Sequence, residues 1–411
     1  MAPKTLGEIS TFITKGATPT TYGYKWQAFG VPFLRSECVS GRGLDMRQSM
    51  FISEAADQSL RRSRVKDGDI LMTITGNVGR VVRLAGIGSA NINQHIARVR
   101  IKDRNFDPGY VYHFLSQDTM REYYESIVTG QAFPQISLVQ VRSTPVPEMG
   151  IEEQKTIARA LDDADNLVVA LEGLITKRQA IKHGMRQDLL SGRVRLPGHT
   201  APWAEARLGS LGKAIRGVAY EPDADLSSSD QSFTVRLLRS NNVQDGQIVR
   251  RGLQFVHERR VSSAQVLASG DIVICMANGS RALVGKAALF EPKRGEPHYT
   301  FGAFMGAFRT DQSVASPRYI AELMRTHVFR NWLDVLLSGS SINNLRPGDI
   351  EGFVASLPSL PEQVAIAETL GDVDQEIDQL GERLAKARAI KQGMMQHLLT
   401  GRVHLPVEAA E

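Results

Sequence analysis

The sequence is poor in the residues that usually carry chemistry. Its 411 residues contain two cysteines, Cys38 and Cys275, with no CxxC pair and no histidine cluster beside them, so a disulfide scaffold and a cysteine-rich metal site are excluded and both thiols read as reduced and structural. No apolar run approaches the roughly 18 residues of a membrane helix, and no basic segment followed by an apolar one opens the chain; a cytoplasmic protein without membrane insertion is expected. Aromatics are 7% of the residues and thinly spread, which gives no stacking platform for single-stranded bases. GxGxxG, GxxxxGK[ST] and GxSxG are all missing, and the nearest approach, TGNVGRV, sets its glycines three apart. Asp69 and Asp271 follow glycines in apparent turns, and His95, before an alternating apolar run, reads as a strand-end or core histidine, with a surface or ligand-facing role as the alternative. No catalytic residue, metal site or methyl-donor site is expected, so catalysis looks delegated.

What is present is a repeat. KHGMRQDLLSGRVRLP recurs 209 residues later as KQGMMQHLLTGRVHLP, and 22 of the 45 positions in 153–197 are identical in 362–406. Within the first copy Ile157, Leu161, Ala164, Val168, Leu171 and Ile175 are spaced alternately four and three apart; Ile366, Leu370, Val373, Ile377, Leu380, Leu384 and Ala387 keep the same beat in the second. This is an a/d seam, so each copy predicts a long helix in need of a helical partner, met most economically by the other copy; a bundle with helices from other subunits is the alternative, and both can hold at once. Each helix follows a Pro-bearing stretch and stops at Gly192 or Gly401 before RV-x-LP. Gly184 and Gly393 interrupt good helix formers, and close helix contact is the preferred reason for them, with a local kink as the alternative.

The segments preceding each helix echo one another faintly. LGEIS with Lys15-Gly16 meets LGSLG with Arg216-Gly217; DGDILMTITGNVG meets SGDIVICMANGS; VTGQAFPQISL meets LSGSSINNLRP; and 108–126 and 317–335 both read as amphipathic helices begun near proline. The plan is globular, helix, globular, helix, an α+β chain with a pseudo-twofold character. Helices kept alike present one docking face twice, whereas globular parts kept only in outline are free to differ in what they read.

The formal charge is +5 and the pI about 9.2, with RRSR at 61–64, VRR at 249–251 and ERR at 258–260 outside the helices. That mild basic excess favours a polyanionic partner, and duplex DNA is the better choice. Arginines and lysines in loops can fork onto guanine edges or hold phosphates; the candidates are Lys15, Arg61, Arg62, Arg64, Arg80, Arg216 and Arg281. For each of them a solvated surface position is the alternative.

GDILMTITGNVGRV at 68–81, NINQHIARV at 91–99, GQAFPQIS, VPEMGIEEQKTIARALDDAD at 146–165 and the twice-written IKxGMxQxLLxGRVxLP together resemble the specificity subunit of type I restriction-modification systems, in the family's order along the whole chain. The resemblance implies target recognition domain 1 at 1–150, conserved helix 1 and its tail at 151–198, target recognition domain 2 at 199–360, and conserved helix 2 with its tail at 361–411. It also implies that the helices pair as an antiparallel coiled coil, a ruler between two domains that each read half of a bipartite asymmetric DNA target. The pairing residues would be Ile157, Leu161, Val168, Leu171 and Ile175 with Ile366, Leu370, Ile377, Leu380 and Leu384. Two methyltransferase subunits using S-adenosylmethionine to modify adenine would dock on the scaffold, joined by two ATP- and Mg-dependent motor-nuclease subunits; this chain would bind none of these cofactors. In the second half, HYTFGAFMG at 298–306 stands where NxNQH would be and MANGS replaces MTITG, so its loops are expected to differ. The first domain is expected to begin almost at once, at LGEIS. Rival readings are the scaffold of a methylation-only complex without a nuclease, an autonomous enzyme with an unfamiliar site, and a purely structural coiled coil.

Overall fold

Buried on all four positions, Ile70–Thr73 and Ile272–Cys275 are central strands of the kind that continuous apolar runs make. In the computed structural model, which describes residues 3–41, 43–130, 134–338 and 343–405, they belong to separate compact units: residues 1–173 with 381–411, and residues 174–380.

In the first unit the strands β1 (Thr14–Lys15), β2 (Ile70–Thr73), β3 (Val81–Arg83) and β4 (Ile96–Val99) form an antiparallel sheet in the order β1-β4-β2-β3. In the second, β5 (Gly212–Arg216), β6 (Ile272–Cys275), β7 (Ala287–Leu289) and β8 (Met305–Thr310) repeat it as β5-β8-β6-β7. Each unit has a second four-stranded sheet with one parallel pair, Val31–Leu34 beside Ser89–Ile92 in one and Thr234–Leu238 beside Tyr299–Phe301 in the other.

The Gly-Asp turns are built alike. Asp69 accepts the Lys66 N–H at 2.9 Å and is gripped by both Arg100 nitrogens at 2.5 and 2.6 Å; Asp271 accepts the Ala268 N–H at 2.8 Å and is gripped by Arg309 at 2.7 and 2.8 Å. The glycine of each Lys/Arg-Gly echo answers to space. A Cβ on Gly16 would sit 1.7 Å from the Ile92 carbonyl oxygen, and one on Gly217 2.0 Å from that of Gly302.

Two long helices, Ile151–Leu190 and Leu360–Leu398, carry the repeat. Their segments run antiparallel within each unit, since partner numbers rise on one as they fall on the other: Glu153, Asp165 and Glu172 with His404, Lys391 and Arg388 in the first unit, and Arg178 and Lys182 with Glu376 and Asp374 in the second.

Two expectations need correcting. A Cβ at Gly184 or Gly393 would meet nothing within 4 Å, so close contact does not account for these glycines, and both helices run through them without a break. The amphipathic stretches are each two helices, Pro108–Leu115 with Asp118–Ser126 and Pro317–Leu323 with His327–Ser338. The break in the second falls before Thr326, whose hydroxyl accepts the Phe329 N–H at 3.4 Å and starts a new helix. The echo between 128–138 and 337–347 falls partly on 131–133 and 339–342, outside the described residues.

The a/d residues divide by position. Ile157 and Leu161 join the core of the first unit together with Leu398 and Leu399; Ile366 and Leu370 join that of the second with Leu189 and Leu190. Leu171 is buried, while Val168, Ile175, Ile377, Leu380 and Leu384 are half-buried. The helix ends are thus part of the globular cores.

Candidate nucleic-acid interface

The register of β1, β4 and β2 sets Lys15 against Ala97 and Thr73 against Ile96. One end of this sheet therefore gathers Lys15, the Asn93–His95 turn and the 74–80 turn that ends at Arg80. In the second unit, Arg216 pairs with Gly306 and Cys275 with Met305, so Arg216, the 302–304 turn and the 276–285 turn bearing Arg281 lie at the same end of the matching sheet.

Within these clusters the candidates differ. Lys15, Arg61, Arg62, Arg80 and Arg216 are exposed and make no ion pair among the described residues, so their charge is available to an external anion. Arg62 lies beside Lys15's strand, with its guanidinium 6.0 Å from the Phe12 ring. Arg64 is instead bonded to Asp57 and, at 3.2 Å, to Gln58. Arg281 bonds the Asp334 carbonyl and lies 3.5 Å from its carboxylate. Both are spent on fold contacts, a competition for which sequence offers no sign. Neutralisation also removes much of the other basic runs. Arg250 pairs with Glu296 at 2.9 Å, and Arg259 and Arg260 share the buried Asp225, whose carboxyl their hydrogen bonds, Arg260's foremost, hold far below the usual range. His95 is half-buried, its Nε2 3.0 Å from Gln94 Nε2.

Two exposed aromatics escaped the sequence reading. Phe12, 63% exposed, has the Arg142 guanidinium 4.9 Å from its ring centre as well as Arg62. Phe304, 71% exposed, stands 209 residues after His95, and its carbonyl accepts the N–H groups of Met276 and Ala277. Only the repeat offset could have singled it out. Both cysteines are buried and unpaired. Among the described residues no group of His, Cys, Asp and Glu could hold a metal ion, and no helix is long and apolar enough to cross a membrane.

A family model described as the type I restriction modification DNA specificity domain matches residues 1–183, the first sheet pair and most of the first long helix. Residues 1–183 are thus similar to the DNA specificity domain of type I restriction-modification systems. The specificity subunit of the type I restriction enzyme StySPI from Salmonella potsdam is 33% identical over 201 residues, 49% of this chain and 42% of the relative, so that match spans less than half of the relative's length. The MjaVIII specificity subunit of Methanocaldococcus jannaschii is 24% identical over 355 residues, covering 83% of this chain and 80% of that one. In fold, the chain resembles the crystal structure of the type-I restriction-modification system S subunit from M. genitalium, with a TM-score of 0.62 and 14% identity over 97% of this chain and 99% of the other.

Proposed function

We propose that this chain is the noncatalytic, sequence-reading subunit of a DNA modification complex. Each globular domain reads one half of a bipartite asymmetric duplex target, through the sheet end that carries Lys15 and Arg80 in one unit and Arg216 in the other, with Arg61 and Arg62 holding phosphates nearby. The observation that carries this reading is the repetition of one scaffold under different loops. The same sheet order, the same Asp-Arg turn clamp and the same glycine approach recur in both units, while His95 gives way to Phe304 and Thr73–Gly76 to Cys275–Asn278.

The long helices serve as scaffold and ruler. Ile181 and Ile390, 209 residues apart, are 38% and 51% exposed, so the repeat leaves an uncovered isoleucine at equivalent places in the two helices. Two copies of one protein partner, methyltransferase subunits using S-adenosylmethionine to modify adenine, fit such a duplicated surface. Motor-nuclease subunits requiring ATP and Mg complete a restriction complex, and in this reading the cofactors are held by the partner subunits.

The test maps adenine methylation on random-sequence DNA after coexpression with the neighbouring methyltransferase, deleting each globular domain in turn. A split motif whose halves vanish separately is expected; a continuous motif, or methylation indifferent to this chain, overturns the reading. A four-residue insertion in a long helix should change the preferred spacer.

A further inference from the structure

In each unit a globular domain sits on two antiparallel helix segments, and the repeat makes the apolar parts of the two seats the same. Ile157, Ala158, Leu161 and Leu398 in one correspond to Ile366, Ala367, Leu370 and Leu189 in the other, each pair 209 residues apart. The amide anchor is also the same. Gln154 accepts the Asp107 N–H at 2.9 Å and donates to the Met149 carbonyl, as Gln363 accepts the Ser316 N–H at 3.0 Å and donates to that of Pro358. Nothing in these contacts tells one domain from the other.

The charged contacts do. In the first unit the domain offers Arg83 and the fully buried His113 to Asp162 of the first long helix, at 2.7 and 2.8 Å; His113 Nδ1, with no hydrogen-bond partner, lies 4.0 Å from Asp165, which pairs with Lys391. In the second unit the domain offers Glu322, at the place of His113, to Arg186 at 2.6 Å and Lys182 at 3.5 Å, and Lys182 also pairs with Asp374. Lys182 and Lys391 are equivalent, as are Asp374 and Asp165. The seats differ where Asp162 is replaced by Gly371 and Met395 by Arg186, and the domains differ where Arg83 is replaced by Leu289 at the same sheet register and His113 by Glu322.

We propose that these four exchanged positions form a charge key that assigns each recognition domain to its own seat and refuses the other domain. Domain 2 on the first seat would bury Glu322 against Asp162 and Asp165. Domain 1 on the second would leave Arg83 facing a glycine and His113 facing Arg186. An apolar face common to both seats gives affinity, and misplaced charge gives selectivity, the division by which proteins discriminate between near-identical partners. The key fixes which domain stands at which end of the scaffold and keeps a second copy of the chain from exchanging domains with it, whatever the domains bind.

Transplanting the key by substitution in the full-length chain tests this, with amide hydrogen exchange of the Pro108–Leu115 helix as readout. His113→Glu alone should raise the opening of that helix by on the order of a hundredfold, the scale of an uncompensated buried charge. Arg83→Leu, Asp162→Ala and Met395→Arg added to it install the charges of the second seat and should return exchange to near the wild-type rate. His113→Gln, neutral and similar in size, should stay near wild type at neutral pH. The proposal is overturned if His113→Glu opens the helix no more than His113→Gln does, or if the three added changes give no recovery. Should the first variant prove insoluble, Glu322→His is the mirror case; it should open the Pro317–Leu323 helix in the second unit, and unchanged exchange there overturns the key equally.

Discussion

Replacing Glu322 by glutamine takes one charge out of the second unit and almost no volume. Its side chain is 13% exposed and accepts from Arg186 Nε at 2.6 Å, Arg325 Nη1 at 2.8 Å and Lys182 Nζ at 3.5 Å. The three cations do not lose equally. Lys182 keeps Asp374 and Arg325 keeps the Asp245 carbonyl, whereas Arg186 has no second ion pair among the described residues. The cost is therefore that of stranding one largely buried guanidinium, and because the amide oxygen still accepts a hydrogen bond, the low end of the ~3–5 kcal/mol for broken buried pairs applies. For a unit of this size, about 3 kcal/mol lowers Tm by roughly 6–12 °C. The pH dependence supplies a second check. Burial alone would raise the Glu322 carboxyl, but Arg325, Arg186 and Lys182 together bring it below its ordinary value. Its contribution is thus complete above the unfolded value of about 4.3 and is lost as pH falls through the lower folded value. Calorimetric melting of wild type and Glu322→Gln should show the deficit at neutral pH shrinking in acid. An unchanged neutral Tm, or a deficit just as large in acid, refutes the reasoning.

Other outcomes follow from the same structure. Burial outweighs the pull of Asp162 and Asp165 and holds His113 below the usual imidazole range, so the unfolded chain binds the extra proton and the first unit loses stability as pH drops below about 6.5; His113→Gln should flatten that part of a stability–pH curve measured by denaturant melts. Gly16→Ala drives a Cβ into the Ile92 carbonyl and should cost at least ~1–3 kcal/mol in a urea titration, where a neutral result would remove the close approach as the reason for the glycine. On the proposed function, Arg61→Ala with Arg62→Ala should weaken DNA binding broadly and make the log–log salt slope shallower by about two, and an unchanged slope would leave both as solvated surface. Leu171→Glu places a charge at a buried position of the helix pair and should reduce assembly in gel filtration; normal assembly would reject the seam there.

The repeat made the helices legible because an a/d beat held over 19 residues in one copy and 22 in the other admits few alternatives, and the Gly-Asp turns because backbone geometry there demands those residues. The candidate interface was legible only as a set of cations. Lys15, Arg80 and Arg216 read as loop charges and stand exposed at the sheet ends, but sequence could not show that Arg64 faces Asp57 or that Arg281 reaches Asp334, since those partners come from elsewhere in the fold. The RV-x-LP tails read only as stop signals. In the structure Arg195 grips Glu362 with two nitrogens at 2.5 and 2.7 Å, and His404 bonds Glu153, so each tail returns to the first turns of the opposite helix. Two residues one repeat apart, each answering a glutamate one repeat apart, were visible in the alignment of the copies. Their meaning was not, because pairing direction is a tertiary fact.

The division of the chain also orders its assembly in time. The second unit is one continuous stretch, 174–380, whereas the first draws on both 1–173 and 381–411, and Leu398 and Leu399 fill its core. As the chain leaves the ribosome, the later unit has all its parts while the earlier one still waits for its last helix. The usual order, amino-terminal domain first, is therefore inverted for completion. Until residue 399 emerges, the core around Ile157 and Leu161 lacks one wall and exposes apolar surface. Premature termination near the carboxyl end would thus injure the domain made first, several hundred residues away in sequence, and spare the one made last.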